Sequence, residues 1–455
     1  MAVTTNTTIA YDQKKMLAAK LIARATNRLV AASLCDKVKQ EEGTGKIAYF
    51  VRYSRMYVPL TTLSEGTSPS TPSDIALEQF SVTLDQWGDT ITLTDVAKLT
   101  ASHPLVQQAT ELLADNAQRV IDREVQLVWL AGTNVQYADG SVTTRATITT
   151  ALKLSDAALH KARITLQNDG APERNGPSDA DFKLGQGGSN KIGAGSYVAV
   201  CGPEVMADVL ATGTSFGSLA TIASYQAKEI LYNGEFAQWL GFRWVMSNFV
   251  PKFAFLGNTT GIVVSGVSMG TNTPVVTAVD GGGSLTSATT YYFAVTRINK
   301  LRGFEEGITM RHSMASTATA NNESFTFDFA GLTAGYVFNV YFGASDSDAA
   351  LYKANSTPAA VGDVVTVTAV PSSSNATKPA NPNTTGTPTI HPIFIHAAES
   401  CKWVGLQDLK VMNAAATPSD SDPLAQRHKI SYKFMGKALL CDQTRLLRVE
   451  VASTY

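Results

Sequence analysis

The chain has 455 residues, of which 44% are hydrophobic and 16% are charged. This length exceeds one ordinary domain core, and the hydrophobic content excludes wholesale disorder. Lys and Arg number 37 against 38 Asp and Glu, so the formal net charge is -1. This balance argues against a nucleic-acid binder that relies on the release of counterions.

The lack of recognisable targeting signals and the spacing of the cysteines both favour a soluble intracellular protein. Residues 1–11 lack the charged and apolar regions of a signal peptide, and no stretch approaches the roughly 20 apolar residues of a membrane span. The four cysteines are scattered without a Cys-x-x-Cys pair, which predicts no disulfide framework and a reducing compartment: Cys35, Cys201, Cys401 and Cys441.

The first hundred residues predict a helix followed by a long hairpin. Leu and Ala recur at spacings of three and four over residues 12–40, which is typical of an amphipathic helix. Residues 47–60 and 78–94 are predicted strands, joined through a turn-rich tip at 64–74. A hairpin alone has too few neighbours for stability, so we expect its partner to be another subunit.

A compact α/β block is predicted after the hairpin. The apolar pattern indicates a helix over residues 102–131, opened by a proline in its first turn, and a second helix over 155–168. A buried strand is predicted over 197–201, a helix begins at Gly202-Pro203, and residues 240–250 are strand-like.

The composition changes near Gly257 to a Thr-, Ser-, Ala-, Gly- and Val-rich region without helical period. About six short strands in this region argue for a β-sandwich, and residues 291–297 and 336–341 resemble central strands of immunoglobulin or fibronectin-type modules. Residues 370–388 are interpreted as a linker. Because strand character of the earlier block resumes at residue 390 and over 428–452, the sandwich is predicted to be an insertion.

Residues that could carry chemistry do not form a recognisable site. The glycine-rich residues 185–196 precede a strand instead of opening a helix, so they indicate a surface loop rather than a phosphate loop. His391 and His396 are five residues apart on one strand, hence on opposite faces, which favours structural histidines over a zinc site. Asp122 and Glu124 are interpreted as interfacial ion pairs rather than an acid–base couple. The sequence predicts no catalytic, cofactor-binding or metal-binding residues.

An ordered series of segments resembles the major capsid proteins of tailed phages, whose shell-forming fold is shared with herpesviruses. The matching segments are residues 59–69, 84–88, 94–95, 112–113 with Asp122, 132–133, 231–235, 240–248 and 422–427. Two features depart from the family pattern. Ala237 stands where the pattern favours glycine, and many members lack the inserted sandwich.

The resemblance implies an α+β major capsid fold with an N-terminal arm (1–45), an extended hairpin loop (46–100), a peripheral domain with a long spine helix (101–196), an axial domain made of two segments (197–257 and 390–427), an inserted immunoglobulin-like β-sandwich (258–389) and the peripheral terminal strands (428–455). The arm and the hairpin are expected to reach neighbouring subunits. The inserted sandwich is expected to be exposed on the outer surface.

The function implied is that of a non-enzymatic major capsid protein, which self-assembles through pentamers and hexamers into an icosahedral-type shell around packaged double-stranded DNA. The subunits would assemble in the host bacterial cytoplasm and be found in the virion, without a cofactor, a membrane or sequence-specific DNA binding. Scaffolding, portal and decoration proteins are candidate partners. The alternative is a non-capsid structural or adhesive protein, such as a tail or surface-layer component bearing an immunoglobulin-like module.

Overall fold

A computed structural model describes residues 30–53, 56, 58, 75–101, 104–174, 196–210, 235–256, 261–262, 267–268, 273–316, 321–382, 388–414 and 423–453. The chain divides into two compact units. Of the described residues, 31–128 and 399–442 form the first unit, and residue 30, 129–398 and 443–453 form the second.

The helices are few. They are α1 (Ala31–Leu34), α2 (Asp95–Thr100), α3 (Leu105–Leu130), α4 (Asp156–Asn168) and α5 (Pro203–Leu210), with 3₁₀ turns at Arg145–Thr147, Asp348–Ala350 and Gln443–Arg445.

The strands make up most of the regular structure. They are β1 (Asp36–Lys39), β2 (Ile47–Tyr53), β3 (Leu77–Thr83), β4 (Asp85–Thr94), β5 (Val135–Tyr137), β6 (Tyr197–Cys201), β7 (Glu235–Trp239), β8 (Phe242–Met246), β9 (Ala254–Phe255), β10 (Gly261–Ile262), β11 (Val267–Ser268), β12 (Val275–Val279), β13 (Thr290–Asn299), β14 (Glu305–Ile308), β15 (His312–Ala315), β16 (Ser324–Asp328), β17 (Tyr336–Gly343), β18 (Tyr352–Lys353), β19 (Ala359–Ala360), β20 (Val364–Val367), β21 (Ile390–His396), β22 (Cys401–Ala414), β23 (Arg427–Leu440) and β24 (Leu446–Ala452).

The first unit is built on a four-stranded sheet in the order β1-β22-β23-β4. The long helix α3, predicted from its apolar stripe, covers one face, where Ala109, Leu113 and Ala117 join a core with Ile430 and Phe434 of β23. The hairpin formed by β2 and β3 packs on alternate residues of the same strands and therefore on the other face. The core under the hairpin includes Ala48, Phe50, Val82, Leu84, Val404 and Met435.

Two predictions for this unit are wrong in detail. Within the described residues, the predicted helix over 12–40 is reduced to α1, and the chain then forms β1, which pairs in parallel with β22; the rest of that helix lies outside the described residues. The predicted strand over 78–94 is two strands. It breaks at the buried Leu84, because β3 pairs with β2 whereas β4 pairs with β23.

The second unit contains a six-stranded mixed sheet in the order β5-β24-β21-β6-β8-β7. The central strands β6, β21 and β24 are buried along their whole length, as continuous apolar runs predict. Helix α4 packs against them with Leu159, Ala162 and Leu166. Ser155 caps this helix by accepting a hydrogen bond from the Ala158 amide at 3.2 Å, which satisfies a backbone donor that has no partner inside the helix.

The inserted region is a sandwich of two sheets. One consists of eight strands centred on β13 and β17, and the other has the order β11-β12-β16-β20. Aromatic side chains of both sheets form one core: Tyr291, Phe293, Phe325, Phe327, Phe338 and Phe342. Phe253 and Ile390 exchange two backbone hydrogen bonds of 2.9 Å, so the chain enters and leaves the sandwich at adjacent points. This adjacency is the geometry of an insertion.

The segment after the sandwich is not a free linker, contrary to the interpretation of residues 370–388. Tyr352 and Thr377 form a β-bridge, and the Lys378 amide donates to the Leu351 carbonyl at 3.0 Å. The Lys378 ammonium is buried, where it donates to Asn381 Oδ1 at 2.6 Å and lies 3.3 Å from Asp348 Oδ2. Composition predicted a linker, but backbone pairing and the ion pair of the buried Lys378 with the partly exposed Asp348 fix the stretch of this segment near residues 376–381.

Among the residues that the structure describes, no helix is long and apolar enough to cross a membrane.

Candidate assembly surface

The β2–β3 hairpin exposes an apolar face, which we call the outer hairpin face. It consists of the alternate side chains of β2, and the exposed fractions of Tyr49, Val51 and Tyr53 are 61%, 54% and 68%. Ile47 continues the row, and Leu77 of β3 lies opposite Tyr53. Large apolar side chains grouped on one strand face mark an interaction surface, whereas scattered ones need no explanation.

The opposite face of the hairpin fixes it to its own subunit. Phe50 contributes to the core under the hairpin, and the Lys402 ammonium lies 5.3 Å from the centroid of its ring. Arg52 pairs with Glu78 of the neighbouring strand at 2.6 Å and with Asp442. The outer hairpin face therefore belongs to a hairpin that is held in place by packing and ion pairs on its other face. The tip predicted at 64–74 lies outside the described residues.

The Asp122 side chain on α3 accepts hydrogen bonds from uncharged groups, one of them near the start of the first unit's described residues. Its Oδ1 accepts from the Ala32 amide at 3.0 Å and its Oδ2 accepts from Gln126 Nε2 at 2.9 Å. Burial raises the pKa of Asp122 to about 6. The interpretation of Asp122 as an ion pair is wrong, because both donors are uncharged. Glu124 does form one, with Arg123 at 2.7 Å, and burial raises the pKa of Glu124.

A disulfide bond joins Cys35 to Cys401, 366 residues apart in sequence. This contradicts the expectation of unpaired cysteines. Spacing along the chain could not reveal the pair, because the parallel pairing of β1 with β22 brings the two residues together. Cys201 and Cys441 are not in a disulfide. Burial raises the pKa of the Cys201 thiol to about 12.

The base of the insertion contains a buried cluster of charges centred on Glu450 of β24. Arg145 donates to both carboxylate oxygens, at 2.7 and 2.6 Å, and Arg448 Nε lies 3.0 Å from Oε1. The Arg145 guanidinium also lies 3.8 Å from the Phe253 ring centroid and donates to the Ala380 carbonyl at 3.2 Å. One side chain therefore contacts the chain on both sides of the sandwich. No pattern in the sequence indicates this pairing.

His391 and His396, which the sequence analysis interpreted as structural histidines, lie in two separate environments. His391 Nδ1 lies 3.9 Å from Glu204, and the His396 ring packs 4.1 Å from that of Trp129. Burial lowers the pKa of His391 to about 4 and that of His396 to about 3, so both are neutral at pH 7. The described residues contain no group of three or more His, Cys, Asp or Glu side chains that could hold a metal ion. The glycine-rich loop at 185–196 lies almost wholly outside them.

Comparison with known proteins gives a consistent family and fold. A family model described as phage capsid protein matches residues 78–301. The capsid of Ralstonia phage GP4 is 8% identical with a TM-score of 0.52, and the match covers 97% of this chain and 96% of that one. The capsid of cyanophage Pam1 is 10% identical with a TM-score of 0.52, and the match covers 97% of both chains. No curated protein sequence matches the chain.

The family match and the shared fold show a phage capsid protein, in the fold class that forms the shells of tailed phages. Within that class, the chain is a major capsid protein, a structural component of the virion. This confirms the predicted family, the α+β fold class and the capsid function. The division into arm, loop, peripheral and axial domains and the immunoglobulin-like character of the insertion remain predictions.

Proposed function

We propose that this capsid protein assembles through the outer hairpin face, forming pentamers and hexamers of an icosahedral-type shell around packaged double-stranded DNA. The observation that carries the proposal is the row of Tyr49, Val51 and Tyr53, more than half exposed on a hairpin that is fixed from behind. A neighbouring subunit is the partner that would cover it.

The energy available from this face is appropriate for reversible assembly. Full burial of one such side chain contributes about 1.5–3 kcal/mol, and these side chains are already partly covered. Each would therefore add about 1 kcal/mol, or roughly 3 kcal/mol for the three together. One contact of this size is weak, but a closed shell repeats it in every subunit, so folding and assembly are linked.

The test is a charge placed on the outer hairpin face. We expect Val51→Glu to leave the subunit folded but to abolish closed shells, because the new carboxylate would have to be buried at the contact. Val364→Glu is the matched control, since Val364 is also a strand valine and its exposed fraction is 58% against 54% for Val51. Negative-stain electron microscopy with light scattering measures the particles, and circular dichroism measures folding. Normal shells from folded Val51→Glu subunits would contradict the proposal.

The inserted sandwich would lie on the outer surface of the shell, because its two chain connections meet at Phe253 and Ile390 and so join it to the subunit at one place. A net charge of -1 suits a container that holds DNA without binding it tightly. The protein would act without catalysis, assemble in the host bacterial cytoplasm, and have scaffolding, portal and decoration proteins as candidate partners.

A further inference from the structure

The segment from Ala31 to Lys39, which we call the anchor segment, is fastened to the first unit in three ways. The Ala32 amide donates to buried Asp122, and residues 36–39 pair in parallel with β22. The third fastening is the bond between Cys35 and Cys401. The first two are non-covalent and do not depend on whether the cysteines are oxidised.

The two cysteines are almost inaccessible in the folded subunit. The exposed fraction is 5% for Cys35 and 1% for Cys401. A reagent therefore reaches the sulfur atoms only when the anchor segment lifts from β22. Because 366 residues separate the cysteines in sequence, their approach depends on the folded pairing of β1 with β22. The bond therefore forms once β1 has paired with β22.

We propose that Cys35 and Cys401 form a redox lock on the anchor segment. In the reduced subunit the segment can lift and return, whereas in the oxidised subunit it is held covalently. The redox lock rests on the proposed function in one respect, because the slower release of subunits is measured on assembled shells. Its chemistry belongs to the single subunit, since both cysteines lie on the same chain.

The bond forms by exchange with a small-molecule disulfide such as oxidised glutathione. A thiolate of the pair, formed by loss of its proton, attacks one sulfur of the reagent and displaces the other half as a thiolate, leaving a mixed disulfide. The second cysteine, also deprotonated, attacks the protein sulfur of that mixed disulfide and releases the other half. Two protein thiols are oxidised, one reagent disulfide is reduced to two thiols, and the two protons pass to them.

The experiment compares wild type with Cys35→Ser and with Cys441→Ser as a matched control, because Cys441 is partly exposed and not disulfide-bonded. Each protein is prepared with oxidised glutathione or with dithiothreitol in mild urea, followed by removal of the urea. Free thiols are then alkylated under denaturing conditions and counted by mass spectrometry. We expect a peptide linking residues 35 and 401 in oxidised wild type and in oxidised Cys441→Ser, and four alkylated thiols in wild type after reduction. For Cys35→Ser we expect three after reduction, and no peptide linking residues 35 and 401 under either condition.

The second readout is the rate at which shells release subunits in a fixed urea concentration. We expect at least a tenfold slower release from oxidised than from reduced wild-type shells, the same ratio for Cys441→Ser, and no difference for Cys35→Ser. The absence of a peptide linking residues 35 and 401 in oxidised wild type, or equal release rates with the bond formed, would overturn the lock. If no variant formed shells, the proposed assembly would fail, whereas the thiol count and the subunit's own unfolding rate in urea, with the same expected ratio, would still test the lock.

Discussion

Replacing Arg145 tests whether the buried charge cluster holds the base of the insertion. In Arg145→Met, Glu450 keeps Arg448 but loses the two hydrogen bonds of 2.7 and 2.6 Å from Arg145. Removing one partner of a buried pair costs about 3–5 kcal/mol, and the remaining arginine places this case at the lower end. The lost contact with the Phe253 ring adds about 1 kcal/mol. We therefore expect the free energy of unfolding to fall by about 4 kcal/mol.

The assay is urea unfolding of unassembled subunits, followed by tryptophan fluorescence and circular dichroism. The double variant Arg145→Met with Glu450→Gln separates the charge from the packing, since it removes the carboxylate that is left under-compensated. We expect it to recover at least half of the lost stability. A loss below about 1 kcal/mol in the single variant, or no recovery in the double variant, would refute the conclusion that the buried charge cluster stabilises the base of the insertion.

Two further predictions concern Asp122 and the insertion. The folded pKa of Asp122, about 6, lies above its ordinary 3.8, so the stability that it contributes is full below pH 4 and is lost as the pH rises through 6. Asp122→Asn should therefore gain about 2–2.5 kcal/mol relative to wild type between pH 4 and 7 in urea unfolding, and parallel pH profiles would contradict this. Residues 258–389 can be replaced by a short Gly-Ser bridge, because Phe253 and Ile390 are adjacent. The shortened protein should still form shells in electron micrographs. Folded subunits that form no shells would show that the insertion builds the shell.

Local patterns were sufficient for most regular elements of the chain. The apolar stripe of α3, the continuous apolar run of β6 and the short β-branched and aromatic runs of β12 and β16 predicted elements that the structure confirms. Each pattern reflects burial of one face or of both, which is determined by residues close in sequence. The exposed row on β2 is also visible in the sequence. Ala48 and Phe50 supply apolar side chains to one face of the strand, so the alternate residues Ile47, Tyr49, Val51 and Tyr53 form a second apolar face.

The amino-acid sequence was sufficient to predict the capsid class, the α+β fold class and the order of the main elements. The folded chain was needed to learn which distant residues meet: Cys35 with Cys401, Arg145 with Glu450, and the Ala32 amide with Asp122. The physical reason is that these contacts depend on strand order and register. Pairing β1 with β22 joins segments some 366 residues apart, and no spacing rule extends over that distance.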